Sequence, residues 1–116
     1  MAEIIDLTAC IAKGQILKVD DKEYEIKFTY RALRALEEIY GNVGKALDSL
    51  VNREKLYDDI LNFLYASLGE KYKLKKTDIE EWISVSSAPM LYDVILSEIM
   101  SGMSLSGKDN TQQGEI

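Results

Sequence analysis

Residues 55–72 read KLYDDILNFLYASLGEKY, and at helical pitch their apolar side chains cover most of the circumference. Leu56, Ile60, Leu64 and Leu68 step by four, Tyr57, Leu61 and Tyr65 form a parallel row, and Phe63 fills the gap one turn along. Asp58, Asp59, Asn62, Gly69 and Glu70 are left as a polar strip. A helix apolar on more than half of its surface needs neighbours on two or three sides to remove that area from water. Burying seven or eight such side chains contributes on the order of 10 to 20 kcal/mol before conformational entropy is subtracted. The stretch is therefore predicted to be the core around which the chain is arranged, with Leu64→Ala its most damaging truncation.

Toward the N-terminus, Thr29 is placed to cap a helix over residues 30–40 with Ala32, Leu33, Leu36, Ile39 and Tyr40 inward and an Arg34–Glu38 pair outward. Gly41 supplies a left-handed stop, and Asn42 caps a short second helix carrying Val43, Ala46, Leu47 and Leu50. Asn52 then opens the central helix. Upstream, ILKV, Asp20-Asp21 and KEYEIKF read as a β-hairpin in which Tyr24, Ile26 and Phe28 alternate with Glu23, Glu25 and Lys27. A hairpin alone is marginal, so its apolar face must lie on a helix. Asp-Asp lacks the glycine that tight hairpin turns prefer. Residues 3–12 fit a helix face through Ile4, Leu7 and Ile11 and a strand through Ile5, Leu7, Ala9 and Ile11; a short helix ending at Gly14 is the expectation.

On the C-terminal side, Thr77 and Glu80 have the spacing of a capping box for a helix through Ile79, Trp82 and Ile83. SVSSAP interrupts, Pro89 fits a helix's first turn, and a last helix carries Met90, Leu91, Val94, Ile95, Ile99 and Met103 on its apolar side. Gly102 lies where helices stop. SLSGKDNTQQGEI is polar and without period and reads as a tail. The predicted class is α+β, mainly α: an N-terminal hairpin on a bundle of about five helices. One globular domain spans residues 1–103 and a disordered tail residues 104–116.

The formal net charge of -6 argues against nucleic acid as a partner, because phosphates demand a basic patch. Residues 77–116 hold seven carboxylates, Asp78, Glu80, Glu81, Asp93, Glu98, Asp109 and Glu115, against the single base Lys108. Such an excess is a solvated acidic face or a means of steering toward a basic partner. No basic leader and no run of bilayer length is visible, so no membrane is expected and a cytoplasmic location is.

Catalytic and metal-binding inventory is thin. With no histidine and one cysteine, a Cys/His zinc site is excluded, as is an internal disulfide. Cys10 reads as a small buried hydrophobe. The pairs Asp58-Asp59 and Glu80-Glu81 diverge by about 100° on a helix and do not converge on a substrate. No Gly-rich phosphate loop is present. The expectation is a protein that is not an enzyme and takes no cofactor or metal. Tyr57, Tyr65 and Tyr72 lie near one side of the central helix and read first as half-buried core rings, and otherwise as a partner groove. Met90, Met100 and Met103 suit a core or an adaptable binding surface, the core being the first expectation. With Trp82 they are the candidate partner-binding residues.

VDDKEYEIKFTYRALRALEEIYGNVGKALDSLVN (residues 19–52), a long apolar helix, TDIEEWISVSS (77–87) and a terminal helix together resemble the small tail assembly chaperones of long-tailed bacteriophages and prophages, over roughly residues 16–103. In that family a DGKEYEL-like hairpin leads into a helix of the form F...L..LEE.FG and a short amphipathic helix; here Asp20–Phe28, Leu33–Gly41 and Val43–Leu50 match, with Asp21 in place of the glycine. The hairpin turn is therefore expected to differ or be longer. The resemblance implies a non-enzymatic assembly factor in a bacterial host's cytoplasm that binds the tape measure protein, a long helical ruler, and recruits tail tube protein around it. It also implies a short form beside a longer frameshifted one. Self-association is expected through the same surface. The alternative from the residues alone is a small acidic helical adaptor or inhibitor of a basic regulatory protein.

Overall fold

A computed structural model describes the backbone of residues 14–114 and the side chains of residues 14–101. The short helix expected over residues 3–12, and Cys10 with it, lie outside the described residues.

The hairpin forms as β1 (Gln15–Val19) and β2 (Lys22–Ile26), antiparallel, with Leu17 opposite Tyr24 and Val19 opposite Lys22. The turn is not lengthened to compensate for the missing glycine. Asp20 itself takes the left-handed backbone, φ 57°, a conformation that Asp tolerates better than most residues. Leu17, Tyr24 and Ile26 are buried on the inner face.

Thr29 caps α1 (Tyr30–Tyr40) by accepting from the Ala32 N–H at 3.3 Å. Gly41, φ 101°, closes the helix, its N–H donating to the Glu37 carbonyl at 2.7 Å. Asn42 Oδ1 accepts from Lys45 N–H at 2.7 Å to start α2 (Val43–Asn52). Of the face predicted for α1, Ala32 and Leu36 are buried, whereas Ile39 is 37% exposed. Arg34 lies over the Tyr30 ring, and the ion pairs among the described residues are Arg31–Glu70 and Lys71–Glu25.

Asn52 ends α2 rather than opening the next helix. Arg53 follows in the left-handed conformation, φ 64°, and α3 (Leu56–Leu64) begins after Lys55. The predicted central helix is continuous but not uniform: α3 passes into a π turn (Tyr65–Gly69) and then α4 (Glu70–Tyr72). The wider turn buries Ala66, Ser67, Leu68 and Gly69 in succession. Ile60, Phe63, Leu64 and Leu68 are fully buried, and Ile26, Leu36, Leu50, Ile79, Leu91 and Ile95 surround them. The polar strip is corrected at Asp59, which is 1% exposed, because α1 and α2 bring hydroxyls to it.

The start predicted at Thr77 is displaced. Asp78 Oδ2 accepts from the Lys75 N–H at 2.8 Å, so α5 (Lys76–Glu80) begins at Lys76 and ends before Trp82. The serine turn orders the next connection, with Ser87 Oγ donating to the Trp82 carbonyl at 2.7 Å and Ser87 N–H to Ser84 Oγ at 3.1 Å. Pro89 sits in the first turn of α6 (Ala88–Gly114). The backbone of α6 stays helical past Gly102 and through residues 104–114, where a tail was expected. Extending a nucleated helix adds a hydrogen bond for each residue fixed, and no proline interrupts the segment.

Candidate partner-binding surface

Side chains from the helices finish one edge of the hairpin and hold the start of the other. On β2, Glu25 N–H donates to Tyr72 Oη at 2.9 Å, and just past the strand Lys27 N–H donates to Ser67 Oγ at 3.0 Å. The Ser67 hydroxyl returns a bond to the Lys27 carbonyl at 3.1 Å. The π turn thus gives a serine the pairing role of a third strand. On β1, among the described residues, only the first residue is tied: Gln15 N–H reaches Glu98 Oε2 at 3.0 Å and its amide Nε2 reaches Ser97 Oγ at 2.9 Å.

Charges at this end of the hairpin follow from their partners. The Gly14 N–H, at 2.7 Å, and then Lys71 hold the Glu25 carboxyl below its ordinary range. Burial pushes the Glu98 carboxyl up, opposed by the bond from Gln15.

Between β1 and α6 lies a groove of about 490 Å³. Residues 17–20 form one side, Ser87, Met90 and Leu91 the other, and Glu81 and Trp82 contribute from the connection before α6. Trp82 is half-buried, its ring 5.0 Å from that of Tyr24. Met90 is 56% exposed.

Of the residues predicted to bind a partner, Trp82 and Met90 are therefore brought together in one groove. Met100 is 60% exposed but stands apart, since ten residues of helix amount to about 15 Å along the axis and roughly 80° around it. Both methionines are surface residues, against the core placement expected first. The Met103 side chain lies outside the described residues. Of the three tyrosines, Tyr57 is exposed and Tyr65 and Tyr72 are half-buried, Tyr72 serving the β2 edge.

The polar cluster around Asp59 is not legible from the periodicity of residues 55–72. Tyr40 Oη donates to Asp59 Oδ1 at 2.5 Å, Ser49 Oγ lies 2.9 Å from both carboxylate oxygens, and Asn62 Nδ2 donates to Tyr40 Oη at 3.2 Å. The local signal was its position one turn before Phe63 and three residues after Leu56, inside the apolar rows. As expected for adjacent helix positions, Asp58 is exposed while Asp59 is buried. Among the described residues, no three Cys, Asp or Glu side chains are grouped to hold a metal ion, and no helix is long and apolar enough to cross a membrane. No family model, curated protein or solved structure matches the chain.

Proposed function

We propose that the protein is a non-enzymatic phage tail assembly chaperone that binds the tape measure protein and recruits tail tube protein around it. The observation that carries this reading is the exposure of Met90 and Met100 on α6. An unbranched thioether side chain adapts to many shapes, so each of these two exposed sites on α6 serves successive, non-identical apolar stripes along a helical ruler. The resemblance is carried by the hairpin and by the helices capped at Thr29 and Asn42.

From Thr77 to Ser101 the chain has five carboxylates, Asp78, Glu80, Glu81, Asp93 and Glu98, and no Lys or Arg. That acidic side favours, as a second reading, an adaptor or inhibitor of a basic regulatory protein. In either case the charge steers encounter, so salt slows association more than it speeds release.

The test is co-expression with a tape measure candidate from the source genome, using the wild type and the double variant Met90→Ser/Met100→Ser. Soluble partner with the wild type and aggregated partner with the folded double variant are expected. Equal partner solubility with and without the wild-type chain overturns the chaperone reading, and recovery of a basic regulator instead selects the adaptor.

A further inference from the structure

Among the described residues, the outer edge of β1 is open. Glu25 and Lys27 aim their N–H groups away from β1, at Tyr72 and Ser67. Directly opposed residues of an antiparallel ladder point their backbone groups either both inward or both outward. Ile16 is opposed to Glu25, and Lys18 to Glu23. The N–H and C=O groups of Ile16 and Lys18 therefore point away from β2, and among the described residues none of them has a partner. The contrast with β2 is direct: two hydroxyls finish that edge, while β1 is tied only at Gln15.

This edge forms one side of the groove that holds Trp82 and Met90. Its far side belongs to the stretch from Thr77 to Ser101, with five carboxylates and no base. Asp20 and Glu81 line the groove against the single cation Lys18, and neither carboxylate is in an ion pair among the described residues.

We infer that β1 and the groove take an extended, apolar and basic segment of a partner protein by strand addition. Its backbone pairs with Ile16 and Lys18, its apolar side chains enter beside Trp82 and Met90, and its Lys or Arg side chains meet Asp20 and Glu81. This goes beyond the chaperone role, because the surface reads an extended chain of this composition whichever protein supplies it.

Trp82 is the single tryptophan, so its emission reports occupancy of the groove. The probe is acetyl-Lys-Val-Lys-Val-Lys-Val-amide, with the glutamate-for-lysine peptide as control. The lysine peptide is expected to change Trp82 emission saturably and to shift the Ile16 and Lys18 amide resonances. Lys18→Pro and Lys18→Ala both remove the groove's cation, but only the proline also removes the outward N–H, with the ladder to β2 left intact; Lys18→Pro relative to Lys18→Ala, and Glu81→Lys relative to the wild type, are each expected to weaken binding about tenfold or more. N-methylating the peptide's pairing amides is expected to abolish binding to the unaltered protein, which keeps the test decisive should Lys18→Pro lose its hairpin. Equal binding of the N-methylated or the glutamate peptide overturns the inference. So does a dimer in sedimentation that the lysine peptide fails to displace and Lys18→Pro dissociates, since a second copy then occupies the edge. These readouts use a synthetic peptide and the unaltered methionines, with no tape measure candidate present, so they fail or succeed separately from the co-expression test.

Discussion

The Tyr40 hydroxyl donates to the buried Asp59 carboxylate at 2.5 Å, joining the end of α1 to the first turn of α3, with Ser49 of α2 completing the contact. A buried acceptor left with the wrong partners costs more than the bond itself contributes. Asp59→Asn, which places an NH2 among hydroxyl donors, is expected to destabilise by about 2–3 kcal/mol, and Tyr40→Phe by about 1 kcal/mol. Urea denaturation of both single variants and the double variant measures the coupling, and additive effects would show the bond to be energetically idle.

The same contact sets an alkaline limit. Burial, and then the bond to Asp59, push the Tyr40 hydroxyl well above its ordinary value of 10.0. Its neutral form is thus favoured in the folded chain. The contribution is fully present below pH 10 and is lost as pH rises from there toward the folded-state value, because the unfolded chain ionises first. Stability measured against pH is expected to fall above pH 10, with a shallower fall in Tyr40→Phe. Identical alkaline limbs would assign the loss to other groups.

Ser67 provides both a donor and an acceptor to the Lys27 backbone. Ser67→Ala keeps helix propensity but strips the β2 edge, and a loss of about 1–2 kcal/mol is expected. Hydrogen exchange at the Lys27 amide should accelerate more than at Leu50 in α2; uniform acceleration would mean that the edge bond has no local role.

A Cβ added at Gly69 would lie 2.8 Å from the Tyr65 ring. Gly69→Ala is therefore expected to destabilise by about 1–3 kcal/mol, although alanine is the better helix former by about 1 kcal/mol. In a Tyr65→Ala background the same change should become neutral or stabilising. Thermal melting of the four proteins decides, and a penalty that persists without the ring would place its cause in the π turn's backbone.

Leu64 is fully buried, whereas Met90 and Met100 are more than half exposed. Leu64→Ala is expected to cost about 2–5 kcal/mol, and Met90→Ser and Met100→Ser no more than about 0.5 kcal/mol each. Chemical denaturation distinguishes the two classes. A methionine variant that melts like the leucine variant would return that side chain to the core.

What the sequence determined by itself was local. The caps at Thr29 and Asn42, the left-handed stop at Gly41, and the alternation of Tyr24 and Ile26 are each set by a few neighbouring residues, and the structure has them as read. The apolar rows of residues 55–72 likewise identify the core through period alone. Tertiary structure decided wherever a polar group's partner is distant in the chain. Asp59 reads as surface until Tyr40 and Ser49 reach it, and the buried Ser67 hydroxyl finds its partner only where the Lys27 backbone comes to it. The groove is of the same kind: Trp82 and Met90 are visible as candidates in sequence, but Lys18 and Val19 join them only because the hairpin packs beside α6. Burial and hydrogen bonding over long separations depend on where whole elements meet, which no window of neighbouring residues contains.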